Sequence, residues 1–191
     1  MKRPRVFTTI KKQYHAHNAS RRDVIARSND ALSKSKRAIF ALHRDDMKGA
    51  ETLLKEAAAL FAQSEKLFKK FPDLKEQGAY RAGLEEYAEA LLFKAYLETG
   101  ELPVNLDDRV MTPSIYLAGL SDMTGELVRY AVRQVTLGNT VVVEESYQAV
   151  SMIVEFFLDM DLTGYLRTKF DQSKKNLSRL ENITYDLAIR S

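Results

Sequence analysis

The chain has 191 residues, enough to bury one substantial core, and its 45% apolar content with only 8 glycines and 4 prolines points to a few long helices. It holds no cysteine, which excludes disulfide frameworks, zinc knuckles, thiolate catalysis and iron–sulfur clusters, and leaves cofactor-free or oxygen-ligand chemistry. The net charge of +3 hides an asymmetry: residues 1–44 carry 12 Lys/Arg against Asp23 and Asp30, a local +10, while the remainder carries −7, which favours a polyanionic partner.

Residues 1–19 are basic and lack sustained periodicity, so they read as an N-terminal arm, either a tail or partly helical, ahead of a helical domain over 20–191. The basic start (Lys2, Arg3, Arg5) is not followed by a signal-type apolar stretch, and no apolar run reaches the roughly 18–20 residues of a membrane span. The expectation is a cytoplasmic protein with no membrane contact. Ser20, with Asp23 three positions on, can cap a first helix in which Ile25, Leu32 and Ile39 recur every seven residues, ending near Arg44. A second helix runs from about Asp46 to Phe71 on the stripe Leu53, Leu54, Ala57, Leu60, Phe61, Ser64, Leu67 and Phe68, and Pro72 stops it. The two should pair antiparallel.

A third helix is expected from near Asp73 to Thr99, closed by Gly100 and Pro103, and residues 101–111 form a loop. Thr112 and Pro113 read as N-cap and first position of a fourth helix reaching about Leu137. Gly138-Asn139 is a turn, and Thr140 opens a fifth helix to about Met160; Val141, Val142 and Val143 would suit a strand, but a strand without partners is implausible. The last helix spans Asp161 to near Arg190. The fold class is all-α: one long-helix bundle of about six to seven helices.

The third helix carries Glu85, Glu86 and Glu89 in the run GLEEYAEA. At 3.6 residues per turn Glu86 and Glu89 share a face with Phe93, Tyr96 and Leu97, an apolar setting for acids. Asp122 and Glu126, four apart on the fourth helix, could join them. Two or three carboxylates can hold Mg²⁺ or Mn²⁺, and such an ion activates water and offsets the charge of a phosphodiester under attack. The bland reading of a Glu pair at helical spacing is a solvated face, and Arg129 or Arg133 could neutralise Asp122 and Glu126 as intrahelical pairs. Gly119 and Gly125 each cost up to about 1 kcal/mol inside a helix, so close approach of another helix or of a nucleic-acid backbone should offset at least one. Lys36, Arg37 and Arg44, with His43, repeat along the first helix as candidate phosphate contacts. His15 and His17 are a weak metal signal, and Tyr80, Tyr87 and Tyr96 could stack bases, although helical tyrosines more often pack in cores.

Three separated segments, RSNDALSKSKRAIFALHR from Arg27, GLEEYAEA from Gly83 and GLSDMTGEL from Gly119, with KKNLSRLENITY from Lys174, resemble the translin family, and within it the branch of translin-associated factor X. The likeness covers about residues 20–190. It implies a seven-helix subunit in a hollow, commonly octameric assembly enclosing single-stranded RNA, with Mg²⁺-dependent endoribonuclease activity. It assigns catalysis and metal binding to Glu86, Glu89, Asp122 and Glu126. The non-catalytic translin branch lacks the glutamate pair. Two departures stand out: the eukaryotic assembly combines two subunit types, and the family's insertion between the acidic motifs is shortened here to 101–111. The expected function is a homo-oligomeric Mg²⁺-dependent (or Mn²⁺-dependent) endoribonuclease whose Lys36, Arg37 and Arg44 grip phosphates. The alternatives are a non-catalytic binder of single-stranded RNA or DNA, and a helical scaffold that binds neither.

Overall fold

The computed structural model describes residues 3–103 and 105–189. Six α-helices form it: α1 (Arg5–Leu42), α2 (Met47–Phe68), α3 (Gly78–Thr99), α4 (Pro113–Thr136), α5 (Val141–Leu158) and α6 (Gly164–Ala188). Short 3₁₀ turns at Pro72–Glu76 and Asp108–Val110 punctuate the connections, and no strand occurs among the described residues. Lys2 of the basic start, Val104 of the expected loop and the expected helix end near Arg190 lie outside the described residues. No helix is long and apolar enough to cross a membrane.

The first helix does not begin at Ser20. α1 starts at Arg5 behind Pro4 and runs unbroken for 38 residues, because nothing between Pro4 and Gly49 breaks it. Its first turns carry a helical-period stripe of Val6, Ile10 and Tyr14, all more than half exposed, so no burial pattern advertises it. His17 is neither a tail residue nor beside His15 in space. Its Nε2 lies 2.7 Å from Asp73 Oδ2 and its ring meets Phe71 edge-on at 5.2 Å, while Arg21 donates to Gln77 at 2.9 Å. These contacts tie α1 to the α2–α3 connection.

α1 and α2 are antiparallel, as Arg27 reaches Gln63 and Lys34 reaches Glu56: rising numbers on one helix meet falling numbers on the other. Asp46 caps α2, accepting from the Gly49 N–H at 2.9 Å. α2 ends at Phe68, and Pro72 opens the 3₁₀ turn where the third helix was expected, so α3 starts later, at Gly78. α3 packs on α1 and α4, α4 on α5 and α6, and one continuous core joins all six helices. The three valines opening α5 are helical, with Val143 buried against this core. Tyr80 and Tyr87 are core residues packed on Phe61 at 5.6 and 5.5 Å, which removes them as base-stacking surfaces. Tyr96 donates its hydroxyl to the Glu145 carbonyl.

Gly119 decides how α3 and α4 meet. A Cβ there would lie 2.6 Å from the Ala88 Cβ and 2.9 Å from the Glu89 nitrogen, so only glycine lets α4 approach the α3 backbone this closely. Gly125 has no such constraint, since its nearest neighbour would be Asn176 Nδ2 at 3.4 Å. The other face of α4 is held to α6 by a buried polar seam: Ser121 bonds Ser173 at 2.7 Å and Asn176 donates to Thr124 at 2.8 Å.

Candidate functional site

The close contact at Gly119 places the acids of α3 beside those of α4. Glu89 is 7% exposed and has no hydrogen bond or ion pair, while the charges of Asp122, Glu86 and Glu126 act on it. Burial, reinforced by these three neighbours, pushes its carboxyl up to about 9. Glu86, half-buried, is raised chiefly by burial; Lys36 opposes the shift, and Asp122 and Glu126 add to it. The four acids singled out by spacing thus share one electrostatic neighbourhood. Glu85 is outside it and accepts from the Tyr165 hydroxyl at 2.7 Å.

Cations from three helices answer these charges. Lys36 of α1 stands 3.7 Å from Glu86, Lys169 of α6 pairs with Asp122, and Glu126 is engaged by both His43 Nε2 and Arg129, the latter at 3.5 Å. Lys169 is half-buried. Burial alone would lower its pKa, but the Asp122 carboxylate and the Tyr165 hydroxyl outweigh that and raise it. Each acid except Glu89 has a cation beside it, and no three acidic or histidine side chains among the described residues stand close enough to enclose an ion as they lie.

The donor set nevertheless fits a hard divalent cation in its chemistry. All four candidate ligands are carboxylates, and Glu89 is a buried one with no partner, surrounded by like charge that a cation would relieve.

The basic residues divide. Lys36 lies exposed on the α1 face that borders the acids, and Arg44, exposed in the turn after α1, lines a shallow concavity with Phe40 and Arg129. Arg37 points elsewhere, its charge acting on Glu56 and Lys34 at the α2 side. His43 is 5% exposed, packed on Phe93 at 5.0 Å, and serves Glu126, not solvent-borne phosphate. Arg133 reaches Asp45 at 3.1 Å and leaves Asp122 to Lys169, which sequence spacing did not find because the pair is 47 residues apart. A separate network of Asp107, Arg109 and Glu65 closes the 101–111 loop onto α2.

Residues 19–191 match the sequence model described as the Translin family. The chain is 28% identical to a translin-associated protein X homolog of Schizosaccharomyces pombe, covering 96% of this chain and 87% of that protein. To translin-associated protein X of Rattus norvegicus it is 25% identical, covering 96% and 78%. Among solved structures, apo-NeC3PO superposes with a TM-score of 0.85 at 23% identity (95% and 97% of the two chains), and AfC3PO in complex with duplex RNA with 0.82 at 22% identity (also 95% and 97%). Both share the fold.

Proposed function

The chain belongs to the translin family, and from that premise we propose that it is a divalent-metal-dependent endoribonuclease whose homo-oligomer encloses and cuts single-stranded RNA, or the unpaired segments of structured RNA, in the cytoplasm. The observation that carries this reading is the buried, unpaired Glu89 facing Glu86, Asp122 and Glu126. A protein with no use for a cation there would gain stability from a neutral side chain at 89. Glu86, Glu89, Asp122 and Glu126 would hold Mg²⁺ or Mn²⁺, which when bound supplies an activated water and offsets charge on the phosphate.

Around that centre the chain's own residues divide the work. His43 fixes the Glu126 carboxylate, leaving its other oxygen to orient water. Lys36, Arg44 and Arg129 form the exposed basic border that meets the RNA backbone, with Arg37 extending it toward α2. Lys169 neutralises Asp122 until a competing cation takes its place. The complex of the fold-neighbour AfC3PO with duplex RNA supports RNA as the polyanion. Self-association is supported by the exposed apolar residues of α5 (Val141, Met152, Phe156) and of the α1 start (Val6, Phe7, Ile10), and the octamer is the proposed size.

A second reading, a non-catalytic binder of single-stranded RNA or DNA, is favoured by one observation: Glu86, Asp122 and Glu126 are already paired with Lys36, Lys169 and Arg129. Labelled single-stranded RNA incubated with Mg²⁺ separates the two. Wild type should cut it, and Glu89→Ala and Asp122→Ala should bind without cutting. Undiminished cleavage by both variants overturns the site, and salt-sensitive binding with no metal-dependent product in wild type favours the second reading.

A further inference from the structure

Phe40 is one of several exposed apolar side chains of the bundle, and it borders the acidic site. Its neighbours Ala38, Ile39 and Ala41 are buried, yet its ring is 50% exposed beside the acidic site. On α1 it sits one turn, about 6 Å, after Lys36, and Arg44 follows in the turn just beyond the helix end at Leu42, so a cation stands on either side of the ring in the sequence. From α4 the Arg129 guanidinium lies over the ring at 4.6 Å from its centroid. Two concavities flank the ring. One, of about 230 Å³, is shared with Lys36, Glu86 and Glu126; the other, of about 210 Å³, is shared with Arg44 and Arg133. Arg129 lines both and also pairs with Glu126, so the aromatic seat is joined directly to a candidate metal ligand.

We propose that Phe40 is a nucleotide-binding platform on which one unpaired base stacks next to the cleavage site, with Lys36 and Arg44 meeting the flanking phosphates. This rests on the RNA reading above and adds to it the means of choosing unpaired segments: a base held in a duplex stack has no free face to offer the ring. The charge around Phe40 favours this occupant over a second copy of the chain. Lys36, Arg44, Arg129 and Arg133 crowd the ring, whereas the core of a protein–protein contact is depleted of charge. A nucleotide brings both parts of the complement, a π-face for the ring and phosphates for the cations.

The test uses the full-length protein in EDTA, so that nothing is cut, and single-stranded RNA carrying 2-aminopurine, with an otherwise identical oligonucleotide bearing abasic sites. Wild type and Phe40→Trp should quench the 2-aminopurine and prefer the base-containing strand. Phe40→Ala and Phe40→Leu should lose the quench and the preference, with affinity falling by about fivefold to a hundredfold, the range of one base–aromatic stack. Light scattering on the same samples should show the assembly unchanged. Equal quenching in Phe40→Ala overturns the platform alone, as does a loss of binding that follows dissociation of the oligomer. Failure of wild type to bind either strand overturns both the platform and the RNA reading it rests on.

Discussion

Replacing Glu89 with glutamine should stabilise the metal-free protein, opposite in sign to most core substitutions. In the fold the Glu89 carboxyl keeps its proton up to about 9, whereas an unperturbed carboxyl loses it near 4.5. Its contribution to stability is therefore whole below about pH 4.5 and is lost as pH rises toward about 9, since over that window the native state must retain a proton the unfolded chain releases. At pH 7, with 1.36 kcal/mol per pH unit over the interval from 4.5, the penalty reaches about 3 kcal/mol. Glutamine matches the shape and does not ionise. Urea unfolding in EDTA at fixed protomer concentration should show Glu89→Gln more stable by up to about 3 kcal/mol, equivalent to roughly 6–12 °C in Tm for a chain of this size. The gap should close toward pH 5 and widen toward pH 8. With Mn²⁺ the order should reverse, because wild type gains binding energy that the variant loses. A variant less stable than wild type in EDTA at both pH values would refute the claim that Glu89 is a buried acid without a partner.

The two α4 glycines should part company: Gly119→Ala should lose about 2–4 kcal/mol by driving a methyl into Ala88 and the α3 backbone, while Gly125→Ala should gain up to about 1 kcal/mol, both read by thermal melts. His43→Ala leaves Glu126 to Arg129 alone and opens a cavity beside Phe93, so unfolding free energy should fall by about 2–4 kcal/mol, read by urea unfolding. Lys169→Met frees Asp122 from its competing cation, so calorimetric titration should show Mn²⁺ binding more tightly, about tenfold, at a cost of about 1–2 kcal/mol in metal-free stability.

Much of the bundle could be read from punctuation. Pro113, Gly100 and Gly138 mark helix boundaries because their backbone constraints act locally, whatever the rest of the chain does. The start of α1 escaped because Val6, Ile10 and Tyr14 face solvent, and a helix that buries nothing leaves no burial pattern to detect. At the site, spacing alone brought Glu86 to Glu89 and Asp122 to Glu126, but it could not say whether the two pairs meet. Gly119 held that information as a conformational cost whose offset is the approach to Glu89. The partners of these acids were the least legible part. Lys36 and His43 are seven apart on one stripe, yet one is exposed beside Glu86 and the other buried against Glu126, and Lys169 reaches Asp122 from a helix whose polar face looks solvated in sequence.

The central claim is that Glu86, Glu89, Asp122 and Glu126 share a divalent cation in the service of RNA cleavage. Its most direct test is anomalous diffraction from crystals grown with Mn²⁺ and an RNA made uncleavable by 2′-deoxy and phosphorothioate substitution. The account predicts a manganese peak bonded to Glu89 and Asp122, with Lys169 withdrawn from Asp122. Bound RNA with no manganese beside Glu89, and the Lys169–Asp122 pair intact, would contradict it.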